Sequence, residues 1–406
     1  MKEHMKMCRV AFSSRINGLW ISLGALASGL IGHAQTLQVV LPSQTDPNIT
    51  QYNIYHFVYL NTQVTARGQL FVLLPGTTGK PAGYTNVLKT AANLGFHAVG
   101  LMYPNAETMN SLCGDSTNPD LYAETRLCVI NGGTNDVISI ANADSITNRL
   151  IKLLEYLAAN DPGQNWNQFL DAQSNLNWPK MVISGHSQGA GHAGLIAKNY
   201  AVARAVMFSD TDWWTPNGQL PGQPADWMSH PGVTSDEFYF GFISIQDGLI
   251  PYAEIIPSWD DYGLAQFGGP VQVESNSAPY LGSHMLTTDL APASGTTGLD
   301  YHNSTAVDSS TPLAADGVTP VYQGVWQFMM VGPPELPRLS AVIASSNQIQ
   351  ISFATYTNYT YQLQANAVLA DGWTNLGNAV AGDGSAKTLL VTATAAAQFY
   401  RILVEY

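Results

Sequence analysis

The sequence predicts an α/β fold, a mostly parallel sheet flanked by helices, with a small antiparallel β-sandwich after it. Three observations predict it. Short, unbroken apolar runs recur up to about residue 330, as strands buried on both faces do. Segments with helical apolar spacing separate them. Beyond Pro337 the runs change to apolar–polar alternation, the pattern of strands with one wet face.

Taken in order, the chain opens with the basic residues Lys2, Lys6, Arg9 and Arg15, then the mostly apolar stretch Ile16–Gly32, with small residues at Gly32 and Ala34. This reads as a secretory signal over residues 1–34, because the stretch is short and Gly- and Ser-rich for a membrane span. The expectation is an exported protein, secreted or periplasmic, with no transmembrane segment after signal removal. Strands are expected at Leu37–Leu41, Tyr55–Leu60, Gln69–Leu74, Ala98–Met102, Lys180–Ser184, Arg204–Phe208, Phe238–Ile245 and Pro270–Glu274. Helices are expected at Val87–Leu94, Asp144–Ala159, Ala190–Tyr200 and Tyr322–Met330. The second is the clearest: Ile146, Leu150, Leu153, Leu154 and Leu157 form one apolar stripe.

Two stretches break the rhythm. Asn105–Ala141 is polar and Gly/Asn-rich and reads as an insertion after the fourth strand. It carries Cys113 and Cys128, the pair left once Cys8 leaves with the signal, and in an oxidising compartment they predict a disulfide. They lack the neighbouring His and close spacing of a zinc site, and no metal is expected. Thr211–Ser235 holds Trp213, Trp214 and Trp227 among prolines and reads as a lid or pocket wall. The organisation is then a large domain over residues 35–332, a Pro-rich linker at 333–338 and a β module over 339–406. That module resembles the C-terminal β modules of many exported bacterial proteins, down to its closing Phe399-Tyr400-Arg401-Ile402.

Composition removes several functions. The 406 residues carry 16 Lys plus Arg against 29 Asp plus Glu, a net charge of −13. Nothing in that balance neutralises a phosphate backbone or favours an anionic lipid surface, so neither nucleic acid nor such a membrane is an expected partner. The 46% hydrophobic share supports a sizeable core and excludes a disordered chain. There is no H-E-x-x-H zinc motif and no phosphate loop with G-K-[ST].

The sharpest motif is Met181-Val182-Ile183-Ser184-Gly185-His186-Ser187-Gln188-Gly189-Ala190-Gly191. An apolar strand runs into G-x-S-x-G, and a small-residue helix start follows. A turn this sharp exposes the Ser187 hydroxyl, and Gly185 and Gly189 carry no side chains to collide across it. The helix start adds a favourable dipole and free N–H groups beside the nucleophile.

With this elbow the chain resembles the α/β-hydrolase superfamily over roughly residues 36–334. Within it, the chain looks like a sparsely characterised group of exported bacterial serine hydrolases. The resemblance rests on Leu73-Leu74-Pro75-Gly76-Thr77-Thr78-Gly79, Tyr103-Pro104-Asn105, the elbow, and His302-Asn303-Ser304. It implies a Ser–Asp–His triad in that chain order, ester-type substrates and residues 35–332 as the catalytic domain. Asp247, just past the strand Phe238–Ile245, fits the acid, with Asp210 and Asp212 as alternatives. His302, before the last helix in a loop, fits the base, with His284 as the alternative. His186 shapes the elbow and His192 is structural. The oxyanion hole is expected from the N–H groups of Gln188 and Thr77, with Gly76 next after Thr77.

The reading is a secreted serine hydrolase, esterase- or lipase-like, that needs no cofactor and acts on a small-molecule or polymeric ester. The rival readings are a non-catalytic binding protein on a hydrolase scaffold and a serine peptidase of the same fold. Trp213 and Trp214 hint at apolar or sugar-bearing substrates.

Overall fold

The computed structural model describes residues 35–332, 339–345, 348–355, 360–367, 372–383, 385–392 and 399–405. The expected signal and linker lie outside these residues.

A nine-stranded sheet forms the centre. Its strands are β1 (Gln35–Val40), β2 (His56–Asn61), β3 (Leu70–Leu74), β4 (His97–Gly100), β5 (Met181–His186), β6 (Arg204–Phe208), β7 (Tyr239–Ser244), β8 (Val271–Gln272) and β9 (Met285–Thr288). Their order is β1-β2-β4-β3-β5-β6-β7-β9-β8. Strand β2 pairs antiparallel with β1 and β4, and every other pairing is parallel. The eight expected strands all form. Strand β9 was not among them; its run Met285–Thr288 is short and half polar, yet every residue is buried between β7 and β8.

Helices cover both faces, and β3 shows why. Leu70, Val72 and Leu74 enter one apolar layer, Phe71 and Leu73 the other, because side chains alternate along a strand. The first layer takes Leu150, Leu153, Leu154 and Leu157 of α4 (Ile146–Asn160) and Ala190, Ala193 and Ile196 of α5 (Gln188–Asn199). The second takes Val87, Leu88 and Ala91 of α1 (Thr85–Asn93) and Val325, Trp326 and Phe328 of α8 (Gln323–Val331). Ser145 caps α4 by accepting from Asn148 N–H at 3.2 Å. Each fully buried Leu contributes about 1.5–3 kcal/mol. The architecture is compatible with an α/β-hydrolase fold.

The insertion differs from expectation. Residues 105–141 hold α2 (Met109–Cys113), α3 (Leu121–Asn131) and a short hairpin pairing Gly133–Thr134 with Ser139–Ile140. Leu121, Tyr122, Val129 and Ile130 bury this segment against the first layer. The expected disulfide is absent: Cys113 and Cys128 are both free, buried thiols. The single S–H of Cys113 has Thr125 Oγ1 at 3.3 Å and Leu121 O at 3.7 Å within reach as acceptors. Thr125 therefore occupies the helix position that meets Cys113, and Cys128 lies nearly a turn further along α3. Burial pushes the Cys113 thiol up to about 11, so it stays protonated at neutral pH.

The C-terminal strands are antiparallel, as their alternation predicts. Strands β10 (Ser340–Ser345), β11 (Gln348–Ala354) and β13 (Ala386–Thr392) form one sheet, and β12 (Thr360–Asn366) pairs with β14 (Phe399–Glu405) in a second. Ile351 and Phe353 of the first meet Tyr361 and Leu363 of the second in one apolar cluster. Among the described residues no helix is long and apolar enough to cross a membrane.

Candidate active site

Strand β5 ends at His186 and α5 begins at Gln188, so Ser187 makes the whole turn. Its backbone sits at φ 52°, ψ −129°, a conformation side-chain-bearing residues rarely adopt. The turn closes because its glycines are bare. A Cβ on Gly185 would overlap the backbone of Gly189, and one on Gly189 would overlap the Leu74 carbonyl. Ser187 N–H donates to Phe208 O at 2.8 Å, and Ser187 O accepts from Ala190 N–H at 2.7 Å.

Asp247 lies just past β7 and is buried. Its Oδ1 accepts the N–H groups of Leu249 and Ile250, both at 2.9 Å, and its Oδ2 accepts from His302 Nδ1 at 2.8 Å. That bond places the proton on Nδ1 and leaves Nε2 as the acceptor nitrogen. His302 is not in a loop as expected; it rides on a short helix, α7 (Gly298–Ser304), started by a capping box between Thr297 and Asp300. The loop after Asp247 touches this helix through two glycines. Gly248 N–H donates to Gly298 O at 3.2 Å, and a Cβ on either glycine would come within 2.6 Å of the other's Cα.

Ser187 and His302 line the same two cavities, together with Thr77, Thr108 and Leu249. The smaller, of about 210 Å3, continues past Asn110, Arg126 and Asp210. The larger, of about 570 Å3, continues past Lys80, Leu299 and Val307. The Ser187 hydroxyl has no hydrogen-bond partner among the described residues. A bond between such groups often tightens only when substrate is bound.

The turn Gly76-Thr77-Thr78-Gly79 faces the elbow. Gly76 N–H donates to Tyr84 Oη at 3.0 Å and Thr78 N–H to Asn105 O at 2.8 Å. Asn105 Nδ2 donates to Gly76 O at 2.7 Å and Gly79 O at 3.0 Å, and Tyr103 Oη to Pro75 O at 2.6 Å. So the Tyr103-Pro104-Asn105 motif holds this turn from the next loop. The N–H groups of Thr77 and Gln188 donate to no protein acceptor among the described residues. Their side chains are joined, Thr77 Oγ1 donating to Gln188 Oε1 at 2.9 Å.

The alternatives lie elsewhere. His284 is stacked between Phe240 and Phe267, with ring centroids at 3.9 and 4.1 Å, and Nδ1 bonds Tyr239 O at 3.0 Å. Burial lowers its imidazole to about 4, which suits a neutral packing residue. Asp210 and Asp212 face Arg126 instead of an imidazole. Arg126, on α3 and fully buried, donates through Nε and Nη2 to Asp212 at 2.7 and 2.6 Å, and Nη2 lies 3.4 Å from Asp210 Oδ2. Its Nη1 donates to Gln188 O at 2.8 Å and lies 3.3 Å from His192 Nδ1. A Cβ on Gly191 would overlap this guanidinium, which explains the small residue there. His192 is thus structural, as expected. Trp213 and Trp214 line neither cavity; Trp213 O accepts from Tyr122 Oη and Trp214 Nε1 donates to Ser116 O. The pocket wall from that segment is Thr211 and Asp212.

Arg126 and Tyr84 were not read from the sequence. The available signal for Arg126 was one cation heading the apolar run Leu127-Cys128-Val129-Ile130 in a chain with only 11% charged residues.

No family model matches the chain, and no curated protein does. Among solved structures the chain is similar to an acetyl xylan esterase from Aspergillus awamori, at 15% identity and a TM-score of 0.32, over 56% of this chain and 80% of that one.

Proposed function

We propose that this protein is a serine hydrolase that cleaves carboxylic esters through an acyl-enzyme. Ser187 Oγ attacks the ester carbonyl while His302 Nε2 takes its proton. Asp247 holds the imidazole in the required tautomer and stabilises the imidazolium that forms. The N–H groups of Gln188 and Thr77 receive the oxyanion, each worth about 10²–10³ in rate. Collapse of the tetrahedral intermediate expels the alkoxide, which takes the proton from His302. Water, deprotonated by the same nitrogen, then attacks the acyl-enzyme and frees Ser187.

One observation carries this reading: the Asp247–His302 bond of 2.8 Å belongs to an imidazole that shares its cavities with Ser187, held at positive φ on a strand-to-helix turn. In this proposal residues 1–34 direct export and residues 35–332 form the catalytic domain. The test is labelling by a fluorophosphonate together with hydrolysis of 4-nitrophenyl acetate. Wild type should label and turn over, and Ser187→Ala should do neither. Equal labelling of both would sink the assignment, and a ligand bound tightly without turnover would favour the binding-protein reading.

A further inference from the structure

The smaller cavity contains one group that the proposed hydrolysis does not use. Asp210 follows β6 and its side chain is 9% exposed. Its Oδ2 meets Arg126 Nη2 only at 3.4 Å, its Oδ1 has no partner among the described residues, and the residue lines the cavity with Ser187 and Gln188. Asp212, its neighbour, is fully committed: Oδ1 to Arg126 and Oδ2 to Arg126 and to Trp227 Nε1 at 2.9 Å. A buried carboxyl with a free oxygen is costly unless something bonds it. Burial pushes Asp210 up to about 8, with Arg126 pulling back and Asp212 pushing further, so at neutral pH the group is largely a neutral acid that can both donate and accept.

We infer that this cavity is a substrate subsite in which the Asp210 carboxyl bonds a neutral hydroxyl group of the ester, making hydroxylated esters better substrates than alkyl esters of the same size. The inference rests on Ser187 being the nucleophile. Two features favour a hydroxyl over an ammonium. The Arg126 guanidinium lines the same cavity and touches the same carboxyl, so a second cation there meets a like charge at low dielectric. Thr108, Asn110 and Thr211 on the polar wall are uncharged and suit a group that gives and takes hydrogen bonds, while the Asp212 carboxylate there is already taken up by Arg126 and Trp227. The hydroxyl can belong to the acyl or to the alcohol part, and the two are separable by assay.

The experiment compares kcat/KM for two matched pairs on the full chain. The acyl pair is 4-nitrophenyl butyrate and 4-nitrophenyl 3-hydroxybutyrate. The alcohol pair is propyl acetate and 2,3-dihydroxypropyl acetate. Wild type should favour the hydroxylated member of one pair by about tenfold, and which pair shows it names the source. Asp210→Ala should bring that ratio near one while still cleaving the alkyl member. Asp210→Asn, whose amide also donates and accepts, should keep the preference. A wild type that cleaves alkyl esters without preference overturns the subsite alone. So does a preference that survives Asp210→Ala, or one that Asp210→Asn abolishes, since that would make charge the recognised feature. Failure to label Ser187 with a fluorophosphonate overturns the hydrolase reading and the subsite together.

Discussion

His186 Nε2 donates to the backbone carbonyl of His302, 3.0 Å away. A carbonyl can only accept, so the proton is on Nε2 and the other nitrogen, Nδ1, accepts from Tyr84 Oη at 3.1 Å. Tyr84 Oη in turn accepts from Gly76 N–H. One chain of three hydrogen bonds therefore runs from the turn that presents Thr77 to the backbone of His302. Burial, aided by the nearby His302, lowers His186 to about 3, so it stays neutral and the chain stays intact at any working pH. The residue just before Ser187 thus joins two parts of the site without touching the chemistry.

Removing the middle of this chain tests its role. Tyr84→Phe leaves the Gly76 N–H and His186 Nδ1 buried without partners, at a cost of about 1–3 kcal/mol. The expected outcome is a lower urea midpoint together with a fall in kcat and little change in KM, because the substrate cavities keep their shape. A stability loss with kcat unchanged would show that the chain is structural only.

Asp247→Asn should separate chemistry from folding. An amide oxygen can still accept from Leu249 and Ile250, so the loop holds its shape. The amide nitrogen facing His302 Nδ1 favours the wrong tautomer, and kcat is expected to fall by about 10⁴ with the thermal midpoint nearly unchanged. Circular dichroism melting and stopped assays on 4-nitrophenyl acetate check both.

Legibility in the sequence followed the range of the interactions. The elbow was readable because strand, glycines and helix start are contiguous, and both glycines are required by overlaps across a single turn. The pairing of Asp247 with His302, observed as a 2.8 Å hydrogen bond, was expected from chain order once the resemblance was in hand. The helices α2 and α3 were not: at 5 and 11 residues they are short, and they owe their form to burial against a layer built from distant segments. The disulfide expectation failed for a related reason, since export context suggests pairing but only the helix phase decides that Thr125 faces Cys113. The role of Arg126 was not readable, because its partners Asp210 and Asp212 lie more than 80 residues away. Asp210 drew attention as a candidate acid through its place after β6, and its actual surroundings are those of Arg126.

The contact between Gly248 and Gly298 sets how closely Asp247 and His302 approach. Gly298→Ala puts a methyl against the Gly248 Cα, where backbone has no flexible end to yield. The expected result is a widened Asp247–His302 contact and at least about a hundredfold loss in kcat, since positioning errors of about 1 Å cost that much. Gly317→Ala, at an open left-handed position distant in sequence, is the control for general strain and should lower stability without a comparable loss of kcat. Equal losses in both variants would remove the positional argument.

Asp210 should leave a mark on stability as a function of pH. Its carboxyl titrates near 8 when folded, from an ordinary value of 3.8, mainly because it is buried. Between these two values the folded state keeps a proton that the unfolded state has released. Stability therefore falls as pH rises from about 4 toward 8 and levels off above, opposite to the trend of a carboxylate held ionised by a partner. Arg126 faces the group and keeps its charge across this window, and Tyr103 and Tyr262, which also sense it, ionise far above it. Asp210→Asn removes the titration, so its stability relative to wild type should improve steadily from pH 5 to pH 8. Urea unfolding of both proteins at half-unit intervals measures the difference, and parallel curves would mean that the Asp210 carboxyl is ionised throughout.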